Sequence, residues 1–236
     1  MKHFYIGENK MKNRGIFISV EGPDGSGKST IVKGIDRWLE KIVKRPYLIT
    51  KEPGSPKNDA CVRMREMLLN PNITLADNAE LFLMLADRCQ HVMNVLLPAL
   101  NENEIVVTDR YYDSTYAYQG WGRRHGESSM LKQIQGLNEI ATMGLIPDLT
   151  ILIIVDPEVG ITRTTKTEFG KKDTFEQEDI NFHDRVCRGF KDIYKKKKKE
   201  RNFFLIDSTN KGEQQCLSEV IDYLSNFLER KLNLGE

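Results

Sequence analysis

Residues 16–30 read IFISVEGPDGSGKST. The first six are dominated by Ile, Phe and Val, which is a strand signal. The next eight, Gly22-Pro23-Asp24-Gly25-Ser26-Gly27-Lys28-Ser29, fit the pattern G-x-x-x-x-G-K-[ST], and a helical pattern opens at Thr30. At ordinary residue usage, a chance match in a chain of this length is on the order of one in a hundred. A strand directly before and a helix directly after lower that chance further. Each residue type has a physical task. The glycines let backbone N–H groups turn inward onto phosphate oxygens without a side chain in the way. The helix that starts here points its positive end at the same anion. Lys28 supplies a mobile cation for the β- and γ-phosphates, and Ser29 a hydroxyl for Mg²⁺. The stretch from Gly22 to Thr30 therefore predicts a nucleoside triphosphate site.

Four further runs resemble the strand before the loop. They are YLITK from Tyr47, IVVTD from Ile105, TILIIVD at 150–156 and FFLID from Phe203. Most are continuous apolar runs and do not alternate, as suits strands buried on both faces of a parallel sheet. Helical periodicity lies between them, at Leu85, Cys89, Val92 and Leu96, and again at Phe182, Val186, Phe190 and Ile193. Alternating strands and helices predict an α/β fold, a doubly wound five-stranded parallel sheet with helices on both faces. Ligands bind such sheets beyond the carboxyl ends of the strands. Glu21, Asp109 and Asp156 are acids at the ends of three such runs. No long linker and no internal repeat appear, so residues 15–236 read as one domain after an N-terminal extension over 1–14.

The chain has 236 residues, with 35 Lys+Arg against 34 Asp+Glu. That balance argues against a nucleic-acid partner. The five lysines at 195–199 read as a solvated helix end. No apolar run approaches the roughly 20 residues of a membrane span, and the first twelve residues have no apolar core of a secretory signal. Cys61, Cys89, Cys187 and Cys216 have no paired spacing. They read as free thiols of a cytoplasmic protein, and neither as disulfides nor as a zinc site.

Six segments, in order, resemble the thymidylate (dTMP) kinase family of P-loop nucleoside monophosphate kinases. They are EGPDGSGKST at 21–30, TKEPGS at 50–55, ADRCQH at 86–91, TDRYYDSTYAYQG at 108–120, PDLTILIIVDPEVG at 147–160 and DTFEQEDINFHDRV at 173–186. The fourth is the most specific. The resemblance implies phosphoryl transfer from MgATP to dTMP, giving dTDP, by a homodimer packed through helices. It makes Arg110 the clamp on the acceptor phosphate and Asp109 an organiser of Mg²⁺. Asp24 would meet the acceptor sugar's 3′-hydroxyl, and Arg88 the thymine edge. Thr115 and Gln119, four apart and so on one helix face, would read the rest of the base. Lys51, Glu52, Pro53, Met84 and Ser114 would complete the acceptor site. The segment over about 163–179 resembles a mobile LID above the ATP. Some family members carry a catalytic Arg inside the phosphate loop. Here that position is Gly25, so the cation is expected from the LID, with Arg163, Lys166, Lys171 and Lys172 as candidates. Arg163 can also stack on adenine.

Three positions depart from the family pattern. Lys51 stands where members usually have Arg, which keeps the charge and loses the bidentate fork. Met84 stands where a Phe usually stacks on thymine, with Phe82 off that helical face. Thr174 stands where the LID usually has Arg. These departures bear on how strictly dTMP is preferred. A nucleoside kinase is the rival reading, and it would need Glu52 as a general base. A non-catalytic nucleotide-binding module is a second rival, against which Lys28-Ser29, Asp109-Arg110 and the basic LID all count. A phosphate acceptor is already ionised and needs no base, so His91, His125 and His183 read as packing or surface residues.

Overall fold

The computed structural model describes residues 14–167 and 173–233, without the side chains at 166, 167 and 233. Lys171, Lys172 and nearly all of the N-terminal extension lie outside the described residues, as does the side chain of Lys166. Five strands form one sheet: β1 Ile16–Glu21, β2 Tyr47–Lys51, β3 Ile105–Asp109, β4 Leu149–Ile154 and β5 Phe203–Asp207. Their order is β2-β3-β1-β4-β5, and every ladder is parallel. The helices are α1 Lys28–Ile42, α2 Asp59–Leu69, α3 Asp77–His91, α4 Leu97–Asn101, α5 Tyr112–Thr115, α6 Ser128–Thr142, α7 Pro157–Thr167, α8 Ile180–Lys197 and α9 Glu213–Asn233. Two stretches wind more widely as π-helix, Val92–Leu96 after α3 and Tyr116–Arg123 after α5.

All six residues of β1 are buried, because the strand is central and covered on both sides. Ile16, Ile18 and Val20 pack with Ile31, Ile35 and Leu39 of α1 and Val220, Leu224 and Phe227 of α9. Phe17 faces the other way, onto Val92, Leu96 and Leu100. A second cluster on β4 joins Leu152 to Phe182, Val186 and Phe190 of α8. Burying one such side chain contributes about 1.5–3 kcal/mol, so both faces of β1 anchor the loop that follows it. The chain departs from β1 toward β3 on one side and toward β4 on the other. β1 is thus the point where the winding reverses, and the crevice beyond its carboxyl end is the expected ligand position. The fold is the doubly wound α/β sheet that the sequence predicts.

Two local expectations are corrected. β4 ends at Ile154, so Asp156 is not a strand-end acid. Its Oδ1 accepts from the backbone N–H of Glu158 at 3.0 Å and of Val159 at 3.4 Å, capping the start of α7. In α3 the predicted apolar repeat breaks at Cys89, which is exposed. Leu85, Val92 and Leu96 are buried as predicted, and Glu80, Asp87, Arg88 and His91 are buried beside them.

The five lysines end α8 as expected. Lys196 donates to Asp192 at 2.8 Å and to the Tyr116 hydroxyl at 3.1 Å, and Lys197 pairs with Glu200. All four cysteines are free thiols, and no helix among the described residues is long and apolar enough to cross a membrane.

Candidate active site

The loop between β1 and α1 takes its shape from residues in the left-handed region, Gly25 at φ 71° and Gly27 at φ 95°. Gly25 has a second constraint. A Cβ there would lie 2.1 Å from the carbonyl oxygen of Gly160. The first turns of α7 thus occupy the space that a side chain at this position would need. A catalytic arginine at this position is sterically shut out.

Lys28 opens α1 and is buried. Its Nζ donates to the Pro23 carbonyl at 2.7 Å and lies 3.9 Å from Asp24 Oδ1. Burial, and then the neighbouring Arg110 charge, push its pKa down to about 8, against the pull of Asp24, Asp109 and Glu21. Below that pH the lysine is a cation before any ligand arrives. Above it, a bound polyanion must draw a proton in. ATP affinity is therefore expected to fall as pH rises through about 8. Calorimetry in buffers of different ionisation heat should find little proton uptake at about pH 6.5 and substantial uptake at about pH 9. Uptake that stays flat across that range would contradict the assignment.

Arg110 follows β3 with φ at 70°, unusual for a residue with a side chain. The turn is held by its N–H bonding Val20 O at 2.9 Å, and by the Thr108 hydroxyl donating to its carbonyl at 2.9 Å. The turn aims the guanidinium at the phosphate loop. One Nη donates to Gly22 O at 2.9 Å and to Ser114 Oγ at 3.1 Å. The other donates to Asp24 and to the Tyr118 hydroxyl, whose ring lies 4.9 Å beneath. Tyr118 in turn donates to Asp24 Oδ2 at 2.7 Å. Burial would raise the Asp24 carboxyl, but Arg110 and Lys28 outweigh it and hold it below the usual range. Behind this cluster Glu21 accepts from the Tyr111 N–H at 2.8 Å and from Ser114 Oγ at 2.6 Å. Burial, then the charge of Asp113, raise Glu21 to about 8.

A second polar network lies on the inner face of α3. Arg88 has five N–H donors. Nε donates to Glu52 at 2.8 Å, Nη1 to Thr115 at 2.6 Å and Asn138 at 2.7 Å, and Nη2 to the Tyr111 carbonyl at 3.0 Å. One N–H, on Nη2, has no partner among the described residues. Glu52 also meets His91 Nδ1 at 2.8 Å, and His91 Nε2 lies 2.9 Å from Thr50 Oγ1. Burial raises the Glu52 carboxyl, but Arg88 and His91 more than offset this and hold it low. Of the packing and surface readings of His91, the structure bears out the first: it is fully buried and links this network.

These groups line one cleft of about 660 Å³. Along its walls lie Gly25, Gly27, Lys28, Ser29 and Thr30 from the loop and the start of α1, and Lys51, Glu52 and Pro53 at the end of β2. Met84, Arg88, Asp109, Arg110, Ser114, Thr115, Gln119 and Arg163 also line it. Asp24 lines it too, whereas the predicted Gly22, Pro23 and Ser26 do not, and Thr115 supports Arg88 with its hydroxyl oxygen. Met84 reaches the cleft and Phe82 points out, 58% exposed. Arg163 donates to the backbone carbonyls of Ser208 at 2.8 Å and Gly25 at 3.4 Å, which seats it beside the loop. The Thr174 hydroxyl is buried with no hydrogen-bond partner among the described residues.

Arg65 carries no signal in the sequence pattern. It reaches the cleft from α2 and donates to Pro53 O at 2.7 Å. Gly54 makes room for it, since a Cβ there would lie 2.4 Å from Arg65 Cβ. Burial, and then the charge of Arg65, lower the pKa of Lys51.

A phosphate-binding loop after a central strand, with Arg110 and Arg88 facing it across one cleft, defines a nucleotide phosphotransferase of the P-loop class. Comparison with known proteins narrows this. The family model for thymidylate kinase matches residues 20–220. The thymidylate kinase of Lactobacillus helveticus is 39% identical over 223 residues, covering 93% of this chain and 98% of the relative. That of Carboxydothermus hydrogenoformans is 41% identical over 217 residues, covering 92% and 98%. The crystal structure of thymidylate kinase from Ehrlichia chaffeensis superposes with a TM-score of 0.70 at 29% identity, covering 89% of this chain and 98% of that one. The chain belongs to the thymidylate kinase family.

Proposed function

We propose that the chain transfers the γ-phosphoryl group of MgATP to dTMP, giving dTDP and ADP. The observation that carries this reading is the placement of Arg110. A guanidinium between the phosphate loop and the acceptor side of the cleft meets a second polyanion. It would not be needed for a neutral hydroxyl acceptor. The nucleophile is a phosphate oxygen, ionised near neutral pH, so no base is required. The nucleoside kinase rival requires Glu52 as that base, and Glu52 is tied to Arg88 and His91.

Chemistry of this kind needs cancellation of charge between two polyanions held in line. Lys28 meets the donor phosphates. Arg110 and Lys51 grip the acceptor phosphate, which would take over from Asp24 as the partner of Arg110. Asp24 is then released toward the acceptor sugar. Arg88, Ser114, Thr115 and Gln119 hold the base end, with Met84 as its apolar wall. Arg163 is assigned to the ATP side, and Lys171 and Lys172 to the migrating charge. A magnesium ion fits the residues present. The Ser29 side of the loop is exposed, and Asp109 Oδ1 is buried without a hydrogen-bond partner among the described residues. Ser29 and Asp109, both hard oxygen donors, would hold it. Bound there, it would supply positive charge against the donor phosphates.

We further assign the chain to the cytoplasm, on its four free thiols. We assign it a homodimeric state, on the apolar outer face of α3 and the turn after it. There Phe82, Cys89 and Met93 stand exposed at helical spacing.

An ATP-consumption assay across dTMP, dUMP, dGMP, dCMP, UMP and thymidine tests the reading. The fastest turnover is expected with dTMP, and none with thymidine. Preference for thymidine would replace the proposal with a nucleoside kinase.

A further inference from the structure

Glu80 lies near the start of α3 and faces inward, 4% exposed. Its Oε1 accepts from Gln119 Nε2 at 2.9 Å and from Arg123 Nε at 3.3 Å, and its Oε2 from Arg123 Nη2 at 2.9 Å. Arg123 is held in turn. Its other nitrogen binds Glu178, and its plane lies 4.8 Å over the Phe182 ring and 5.6 Å over that of Phe175.

A carboxylate only accepts hydrogen bonds. Gln119 must therefore show Glu80 its amide nitrogen, which leaves its oxygen as the group it can offer the cleft. Arg88 is committed in the opposite sense. Four of its five N–H groups are engaged, and what remains is a donor. Between them Arg88 and Gln119 thus present one donor and one acceptor. The matching base edge has a carbonyl oxygen beside an N–H. Thymine has that edge at O4 and N3. Cytosine has the reverse, an amino group beside a bare nitrogen, and would set donor against donor and acceptor against acceptor.

We propose that Glu80, braced by Arg123, is a positioning residue that fixes the amide polarity of Gln119 and so selects thymine over cytosine. This rests on the reading above, in which the acceptor base lies against Arg88 and Gln119. Glu80 does not line the cleft, and it would set specificity through Gln119.

Glu80→Gln is the test, because it keeps the shape and adds a donor that lets the Gln119 amide reverse. The ratio of kcat/KM for dTMP to that for dCMP is expected to fall roughly tenfold or more. The change should lie mainly in KM, with the KM for ATP unmoved. A merely structural role would depress both acceptors alike and leave the ratio unchanged, and that result overturns the proposal. In a Gln119→Leu background the same substitution is expected to leave the ratio where Gln119→Leu puts it. A further shift there also overturns it. Arg123→Lys, which keeps a cation beside Glu80 and removes the fork, gives an independent reading should Glu80→Gln melt below assay temperature. The ratio is again expected to fall, and an unchanged ratio counts against the proposal. Absence of dTMP turnover in the unaltered protein would overturn the functional reading itself.

Discussion

Lys28→Ala is expected to lower kcat by about a hundredfold to a thousandfold, the cost of removing one preorganised charge from a developing anion. The melting temperature should stay within a few degrees. Lys28 is buried, but its one hydrogen bond runs to the Pro23 carbonyl within the same loop. Losing it leaves an acceptor short, which costs about 1–3 kcal/mol at most. The core on both faces of β1 does not involve it. The variant should fold, bind dTMP as before and turn over poorly. Near-normal kinetics would show that the cation for the donor phosphates comes from elsewhere in the cleft.

Arg110→Ala is expected to reduce kcat/KM for dTMP by a similar factor, again about a hundredfold or more, with a different signature. Arg110 faces the acceptor, so KM for dTMP should rise while KM for ATP moves little. Thymidine, which lacks the phosphate, should compete as well against the variant as against the unaltered protein. The substitution also removes the main charge holding the Asp24 carboxyl low, and one of the charges pressing Lys28 down. Both groups should therefore titrate higher in the variant, and the fall in ATP affinity should begin at a higher pH. Equal loss of thymidine and dTMP binding would mean that Arg110 only supports the loop.

β1 and its loop are legible in the sequence because apolar run, glycines, Lys28 and helix start follow one another without a gap. The other strands are nearly as plain, being continuous apolar runs. Asp156 misleads because Val155 extends the apolar run of β4, while Pro157 has already opened α7. The inner face of α3 is harder for a physical reason. Glu80, Asp87 and His91 are charged or polar residues on a helix, and such residues ordinarily face water. Only the fold supplies the partners that permit their burial: Arg123 for Glu80, the Gly54 N–H for Asp87 and Glu52 for His91. The same holds for Arg65, one of several arginines on a helix until Gly54 gives it room. The resemblance to known kinases identifies Arg88, Thr115 and Gln119 as a set. It gives no hint that Thr115 braces Arg88, or that Gly25 is closed off by the backbone of Gly160.

Phosphoryl transfer between two nucleotides leaves a product balance that can be read directly. With MgATP and dTMP, chromatography of the products is expected to give dTDP and ADP in equal amounts, and neither when thymidine replaces dTMP. ADP without dTDP, or dTMP appearing from thymidine, would contradict it.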